Sequence, residues 1–235
     1  LDACAAPGSK TTQIAVLAGD RAPVVAGDLH AHRLRIVGES AGRQGLKSIN
    51  LVVLDAARSL PFADETFDRV LVDAPCTGTG TLRHNPEIRW RVAPADIAEL
   101  SARQRRILDE AARVVRPGGR LVYSTCSVER EENEEVVADF LRARENFRQT
   151  EATPAPERLR LPSGAARTWP HRDDVDGFFV AAFEKNDERG TMNDELKDFV
   201  LSSSSRVPRP AFLLLAARLR RVLDCATWPA RGAAR

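Results

Sequence analysis

The feature that most constrains the fold of this chain is its alternation of short apolar runs with amphipathic segments. Four apolar runs predict strands, and three of them end on an aspartate: PVVAGD at 23–28, INLVVLD at 49–55, FDRVLVD at 67–73 and RLVYST at 120–125. Helical patterns occur before the first run at 10–18, between the first two at 30–43 and between the last two at 95–115, and a fourth follows at 129–144. Such an alternation predicts an α/β fold with a mostly parallel sheet and helices on both faces.

The two ends of the chain are predicted separately from this pattern. Residues 1–3 are expected to finish a first strand that is otherwise truncated, because no initiator methionine is present and the only methionine is Met192. An apolar run at 178–184 predicts a last strand, and we expect it to pair with residues 147–150. We therefore expect one domain over residues 1–185 and a tail over 186–235 of unknown role, either disordered or a docked helix.

Charge and cysteine content exclude several classes of protein. The 35 Lys and Arg residues nearly cancel the 33 Asp and Glu residues, so the net charge of +2 does not identify a partner. No apolar run approaches the roughly 20 residues of a membrane span, and no secretory signal opens the chain, which favours a cytoplasmic protein. Cysteine pairs with metal-ligand spacing are missing, so no metal is expected, and we interpret Cys4 and Cys225 as buried apolar thiols.

A turn of small residues between the first strand and the first helix is a candidate cofactor site. Small residues let the backbone approach a ligand, and a helix N-terminus offers free N–H groups, although a tight packing turn would look similar. The loop consists of Cys4, Ala5, Ala6, Pro7, Gly8, Ser9 and Lys10. Asp28 follows Gly8 by 20 residues, the place of an acid that accepts ribose hydroxyls, and Asp55 and Asp73 should reach the same sheet edge. The absence of GxGxxG and GxxxxGK[ST] disfavours nicotinamide cofactors and nucleoside triphosphates and leaves S-adenosylmethionine as the candidate.

Three motifs carry a resemblance to a known family. They are DACAAPGSKT at 2–11, DAPCTGTGTLRHNPEIRW at 73–90 and YSTCSVEREENEEVV at 123–137. Together they resemble the Fmu/Sun family, also called the NOL1/NOP2/Sun or RsmB-like RNA (cytosine-5)-methyltransferases, over residues 1–184. The resemblance implies a Rossmann-like S-adenosylmethionine-dependent methyltransferase fold and methylation of carbon 5 of a cytosine. It favours small-subunit (16S) ribosomal RNA, with transfer RNA as the alternative.

Two cysteines fit this chemistry, because carbon 5 of cytosine becomes nucleophilic only after a thiolate adds to carbon 6. The residues alone leave open which cysteine attacks, since DNA cytosine methylases use the one in a Pro-Cys pair. The resemblance assigns attack to Cys126 and product release to Cys76. It also implies that Asp73 contacts the cytosine edge and that Lys10 supports Asp73, while Ser9 stands where the family usually has glycine. The sequence Asp-Ala-Pro-Cys disfavours methylation of an exocyclic nitrogen.

A segment that mixes cations with an aromatic residue predicts an RNA contact. Arg83, His84, Asn85, Arg89 and Trp90 suit phosphate binding and base stacking on an unpaired strand, and the target base must be flipped out or single-stranded. His84 could equally lie on the surface without a role, and Trp90 could be core. Two other functions stay open: a methyltransferase of proteins or small molecules, and a non-catalytic RNA-binding module.

Overall fold

The computed structural model describes residues 1–152 and 155–187, so the predicted tail lies almost wholly outside the described residues. The strands are β1 (Val24–Asp28), β2 (Ile49–Val53), β3 (Phe67–Asp73), β4 (Val115–Thr125), β5 (Phe147–Thr150), β6 (Ala166–Thr168) and β7 (Phe178–Lys185). The helices are α1 (Ser9–Leu17), α2 (Ala31–Arg43), α3 (Ile88–Arg91), α4 (Pro94–Arg113), α5 (Glu134–Ala143) and α6 (Pro170–Asp173). Single 3₁₀ turns occur at Thr79–Thr81 and Glu157–Leu159.

The sheet is parallel over its first half and antiparallel at its far edge. β1 pairs with β2 and β3 pairs with β4, both in parallel, while β7 runs antiparallel to β4, β5 and β6. Asp2 connects the two halves by forming parallel bridges with Ala26 on β1 and Leu71 on β3. The prediction that residues 1–3 extend as a strand is therefore confirmed, as is the pairing of β7 with β5.

Several element boundaries differ from the prediction. The helix predicted over 129–144 begins only at Glu134, because the turn before it carries Glu132 and Asn133 into the interior. β4 begins at Val115 and continues through the Pro-Gly-Gly sequence that we interpreted only as a helix stop. The short elements β6, α3 and α6 were not predicted, because three or four residues are too few to show a periodicity.

The core lies on both faces of this sheet and fixes the edge where the strands end. On one face, α4 and α5 bury Ile107, Leu108 and Phe140 against the strands. On the other, a smaller cluster packs α2 through Leu34 and Val37 against β1. Within the described ranges, no helix combines the length and apolarity needed to cross a membrane.

Candidate active site

Cys76 and Cys126 meet at the carboxyl edge of the sheet. Asp73, the last residue of β3, pairs with Ser124 of β4, so the two loops that follow leave the sheet side by side. The Sγ atoms of Cys76 and Cys126 lie 3.3 Å apart. A backbone hydrogen bond joins the two loops, because the Gly80 amide donates to the Cys126 carbonyl at 2.9 Å.

The contact between the two thiols makes them chemically unequal. With Cys76 as the donor, the hydrogen bond between the two sulfurs lowers the pKa of Cys126, although burial and the charge of Asp73 oppose this shift and the Lys10 ammonium assists it. The same hydrogen bond, together with burial, raises the pKa of Cys76 well above its ordinary value. Because a thiolate is the nucleophilic form of cysteine, this arrangement favours Cys126 as the attacking group and Cys76 as a thiol that keeps its proton.

Asp73 is engaged by two side chains at the same edge. Its Oδ2 atom accepts from Lys10 Nζ at 2.6 Å, and its Oδ1 atom accepts from the Ser124 hydroxyl at 2.7 Å. The Lys10 ammonium also lies 5.6 Å from the centre of the Phe178 ring. The structure therefore brings Lys10 to Asp73 as expected, and the carboxylate keeps lone pairs for a further donor. Contact between Asp73 and a cytosine stays a prediction.

The loop before α1 wraps around the carboxylate of Asp28. Asp28 is 5% exposed and accepts the backbone N–H groups of Ala6, at 3.3 Å, and His30, at 3.0 Å. Gly8 has a φ of 111°, and a Cβ there would lie 3.0 Å from the Val37 Cα atom. The loop therefore packs closely on α2, and a larger residue at position 8 would displace it.

Asp55 and Cys4 are a further acid and the thiol that were predicted to belong to the cofactor site. Asp55 accepts the Ala57 backbone N–H at 3.0 Å and lies 3.5 Å from the Arg58 guanidinium. Leu29, directly after Asp28, leaves 41% of its surface exposed and offers an apolar face beside the acids. Burial raises the pKa of Cys4 far above its ordinary value, as expected for an apolar thiol without a chemical role.

The segment predicted to contact RNA lies on the surface, but part of its charge is paired. Arg83 contacts Asp174 at 3.0 Å, and His84 contacts Asp176 at 3.0 Å. Asn85 donates to the Thr81 hydroxyl at 3.0 Å, and the Arg89 guanidinium lies 5.7 Å from the Trp90 ring centre. Trp90 is 76% exposed, which excludes the alternative that it is a core residue.

A cleft of about 470 Å³ opens next to Cys76. Its apolar walls come from Ile88, Val92 and Leu100, and Arg91 lines it as well. The cleft is formed by α3 and α4 rather than by the loop before α1. It therefore extends from Cys76 toward the segment predicted to contact RNA.

The sequence analysis missed a set of buried polar residues that adjoin the cysteines. Glu132 and Asn133 are fully buried, and Gln104 of α4 is fully buried with them. The run EREENEE reads as a solvated helix start, and nothing in its pattern identifies which two members turn inward. Among residues 1–152 and 155–187, no group of three His, Cys, Asp or Glu side chains is arranged to hold a metal ion.

The sheet order and the acids at its edge define a class of protein. Parallel strands with helices on both faces, an antiparallel last strand and a loop wrapped around an acid at the end of β1 form the Rossmann-like fold of S-adenosylmethionine-dependent methyltransferases. Among solved structures, NSun6 from Pyrococcus horikoshii, determined with SFG, has a TM-score of 0.69 and 33% identity. That match covers 78% of this chain and 47% of NSun6.

A family profile described as 16S rRNA methyltransferase RsmB/F matches residues 1–184, and the chain belongs to this family. The probable ribosomal RNA small subunit methyltransferase B of Bacillus subtilis is 40% identical over 190 residues. The ribosomal RNA small subunit methyltransferase F of Salmonella agona is 37% identical over 189 residues. Each match covers 79% of this chain but only 42% and 40% of the relative, so the chain spans less than half of their length. The resemblance inferred from the three motifs is confirmed.

Proposed function

We propose that residues 1–185 form the catalytic domain of an S-adenosylmethionine-dependent RNA (cytosine-5)-methyltransferase that acts on small-subunit (16S) ribosomal RNA. The observation that carries the proposal is the contact between Cys76 and Cys126, 3.3 Å apart, beside the Lys10–Asp73 pair. A methyltransferase that acts on proteins, on small molecules or on an exocyclic amino group needs no paired thiols. The family of the chain supports the substrate class.

The residues present fit the cofactor. Asp28 lies at the end of β1 with a carboxylate that retains acceptor capacity, and Leu29 offers an apolar surface for a base. The loop from Cys4 to Lys10 leads into the N-terminus of α1, where a carboxylate is favoured. S-adenosylmethionine would supply an electrophilic methyl group on a sulfonium sulfur. Asp55 and Asp73 complete the proposed binding set.

The two thiols divide the chemistry on the cytosine ring. The Cys126 thiolate forms a bond to carbon 6, and the electron pair of the 5,6 double bond becomes available at carbon 5, which takes the methyl group. Carbon 5 then loses its proton to solvent water, the electron pair of that C–H bond re-forms the 5,6 double bond, and the bond from carbon 6 to Sγ breaks with its electron pair on the Cys126 sulfur. Cys76, which keeps its proton at neutral pH, donates to the departing Cys126 sulfur during this elimination.

Asp73 and Lys10 orient the base for this attack. The carboxyl group of Asp73 near nitrogens 3 and 4 of the cytosine favours protonation of nitrogen 3, which neutralises the negative charge that the ring gains as the thiolate adds. Lys10 holds Asp73 in place through its 2.6 Å contact and adds positive charge near Cys126. The cleft next to Cys76 gives the flanking strand a path toward Trp90.

Covalent trapping tests the proposal. A transcript of small-subunit ribosomal RNA that contains 5-fluorocytosine cannot lose its substituent at carbon 5, so the adduct should persist and be seen as a shifted band on a denaturing gel. We expect wild-type protein and Cys76→Ala to form the adduct and Cys126→Ala to form none. The absence of an adduct with every variant would favour a methyltransferase of proteins or small molecules instead.

The choice of RNA has its own test, because transfer RNA is the second candidate. Bisulfite sequencing compares cellular RNA from cells in which the protein is intact with RNA from cells in which it carries Cys126→Ala. We expect one cytosine of 16S ribosomal RNA to be protected in the first and unprotected in the second. Loss of a protected cytosine in a transfer RNA instead would identify transfer RNA as the substrate and leave the proposed reaction unchanged. A ribosomal substrate also agrees with the expected cytoplasmic location, which stays a prediction.

A further inference from the structure

Two consecutive polar side chains, Glu132 and Asn133, are fully buried in the turn between β4 and α5. Burying a carboxylate is costly unless its oxygens accept hydrogen bonds, so the partners of Glu132 indicate what the burial achieves. Its backbone is fixed as well, because the Tyr123 hydroxyl donates to the Glu132 carbonyl at 2.6 Å. The turn is therefore a rigid base from which both side chains extend.

Glu132 holds the two residues that flank Cys76, Thr77 directly and Pro75 through Gln104. Its Oε1 atom accepts the Thr77 backbone N–H at 3.0 Å, and its Oε2 atom accepts the Thr77 hydroxyl at 2.5 Å. Gln104 Nε2 donates to Glu132 Oε1 and to the Pro75 carbonyl, both at 2.9 Å. The backbone on either side of Cys76 is thus tied to one carboxylate.

Asn133 does the same for the residues that flank Cys126. Its Oδ1 atom accepts the Thr125 hydroxyl at 2.6 Å, and its Nδ2 atom donates to the Ser127 carbonyl at 2.9 Å. A consecutive pair of Cα atoms is about 3.8 Å apart and cannot be stretched. Two loops anchored on neighbouring residues therefore keep a fixed separation.

We propose that Glu132 and Asn133 are a pair of positioning residues, one for each thiol, that fix the separation of Cys76 and Cys126. Glu132 thereby positions Cys76 for product release, and Asn133 positions Cys126 for attack. The inference rests on the proposed function for its catalytic meaning. Neither side chain touches the reacting atoms. Each acts through the loop that it holds.

The chemical difference between the two anchors matches the difference between the thiols. The pKa of Cys76 is raised by its hydrogen bond to Cys126 and by burial, and the negative charge of Glu132 is a smaller cause in the same direction. Cys126, which must ionise to attack, is held by a neutral amide that brings no negative charge. A carboxylate therefore holds the loop of the thiol that keeps its proton, and an amide holds the loop of the thiol that ionises in the proposed reaction.

Leucine substitutions in the full chain test the two anchors separately. We expect Glu132→Leu to slow product release about tenfold, so that the adduct accumulates on an unmodified ribosomal transcript, with adduct formation nearly unchanged. Asn133→Leu should instead slow adduct formation on the 5-fluorocytosine transcript about tenfold without accumulation. Glu131→Leu, the same change at the exposed neighbour, is the control and should change neither step.

A second readout does not depend on RNA. Alkylation by iodoacetamide, resolved for each cysteine by peptide mass spectrometry, should change mainly at Cys76 in Glu132→Leu and mainly at Cys126 in Asn133→Leu. Equal effects of both variants on both thiols and both steps, or no effect at all, would overturn the inference. Failure of wild-type protein to form any adduct would reject the proposed function, whereas the alkylation pattern would still report whether each anchor positions its own thiol.

Isosteric variants cover the case in which a leucine variant does not fold. Thr77→Val removes the hydroxyl that donates to Glu132 and also contacts the Ser127 hydroxyl. Thr125→Val removes the hydroxyl that donates to Asn133 and also accepts the Ser127 N–H. Both threonines are buried and each adjoins one cysteine in sequence. The two variants should reproduce the release defect and the attack defect respectively, and identical behaviour of the pair would contradict the proposal.

Discussion

The Cys76 thiol lies 3.3 Å from the Cys126 sulfur and lowers the pKa of Cys126, although 50 residues separate the two cysteines along the chain. Neither thiol therefore has the chemistry of an isolated cysteine. The hydrogen bond stabilises the Cys126 thiolate and keeps the proton on Cys76, so the roles proposed for the two thiols depend on a single contact.

Removing the donor should change how Cys126 ionises. In Cys76→Ala the thiolate loses its hydrogen bond, so we expect the pKa of Cys126 to rise and its alkylation by iodoacetamide at pH 7 to slow. The measurement is the alkylation rate of the Cys126 peptide against pH. Cys76→Ser is the matched control, because its hydroxyl can still donate and should keep most of the shift. An unchanged midpoint in Cys76→Ala would contradict the prediction.

Lys10 should matter to activity far more than to stability. Its ion pair with Asp73 is partly exposed, with 41% and 27% of the two side chains accessible, and such pairs contribute about 1 kcal/mol or less. We expect Lys10→Met to unfold within a few degrees of the wild-type temperature but to lose at least about tenfold in methylation rate. Lys47→Met, at an exposed lysine outside the site, should change neither. A large drop in melting temperature would make Lys10 a structural residue instead.

Two glycines predict opposite responses to alanine. A Cβ on Gly80 would lie 2.1 Å from the Gly177 carbonyl oxygen and 2.8 Å from the Cys126 carbonyl oxygen, so Gly80→Ala should displace the Cys126 loop. We expect a loss of a few kcal/mol in the free energy of unfolding, together with loss of adduct formation. A Cβ on Gly42, inside α2, meets nothing within 4 Å, so Gly42→Ala should stabilise by up to about 1 kcal/mol. Denaturant titration of both variants measures these changes. A free energy of unfolding in Gly80→Ala equal to that of wild type would contradict the close packing of Gly80 against Gly177.

Asp2 should make stability depend on pH. Burial raises its pKa from 3.8 to about 6, partly offset by a hydrogen bond from Thr11, so the folded state holds this proton more tightly than the unfolded state. The resulting stabilisation is fully present below pH 3.8 and is lost as pH rises through about 6, a change on the order of 3 kcal/mol. Asp2→Asn removes the titration, so its stability relative to wild type should grow between pH 4 and pH 7.

Asp20 has a lowered pKa, in contrast to Asp2, and its variant is the comparison for the pH dependence of stability. Hydrogen bonds from Ser48 and Lys47 lower the pKa of this exposed carboxyl, so its contribution is present at neutral pH and is lost as pH falls through the lowered value. Asp20→Asn should therefore destabilise the protein at pH 7 and less so in acid. Urea titrations at several pH values measure both variants, and parallel pH profiles for Asp2→Asn and wild type would exclude a raised pKa at Asp2.

Trp90 should contribute to RNA affinity without contributing to stability. Because 76% of its surface is exposed, Trp90→Ala should leave the free energy of unfolding within about 0.5 kcal/mol of wild type. Loss of a stacking platform should weaken binding to a single-stranded transcript by about 1–3 kcal/mol. Val53→Ala, an exposed apolar side chain on β2, is the control. Equal binding by Trp90→Ala and wild type would exclude Trp90 from the RNA contact.

Much of the fold could be predicted because its signals are local. Alternating apolar runs and helical periodicity place four of the strands and the main helices, and an acid at the end of β1 and of β3 places the site at the carboxyl edge. The motifs around Cys76 and Cys126 identified the family without any knowledge of distances. Within the predicted RNA segment, however, the pairing of Arg83 and His84 with acids about 90 residues away could not be foreseen.

The sequence by itself determined the order of the elements, the family and the residue types available for chemistry, because these depend on neighbours along the chain. Only the tertiary structure decided that Cys126 is the thiol whose pKa falls, because that depends on a contact across two loops. It alone distinguished Glu132 and Asn133 from the exposed acids beside them. Burial of a charged residue is set by the groups that fold around it, and those groups come from β3, β4 and α4, which meet only when the sheet has formed.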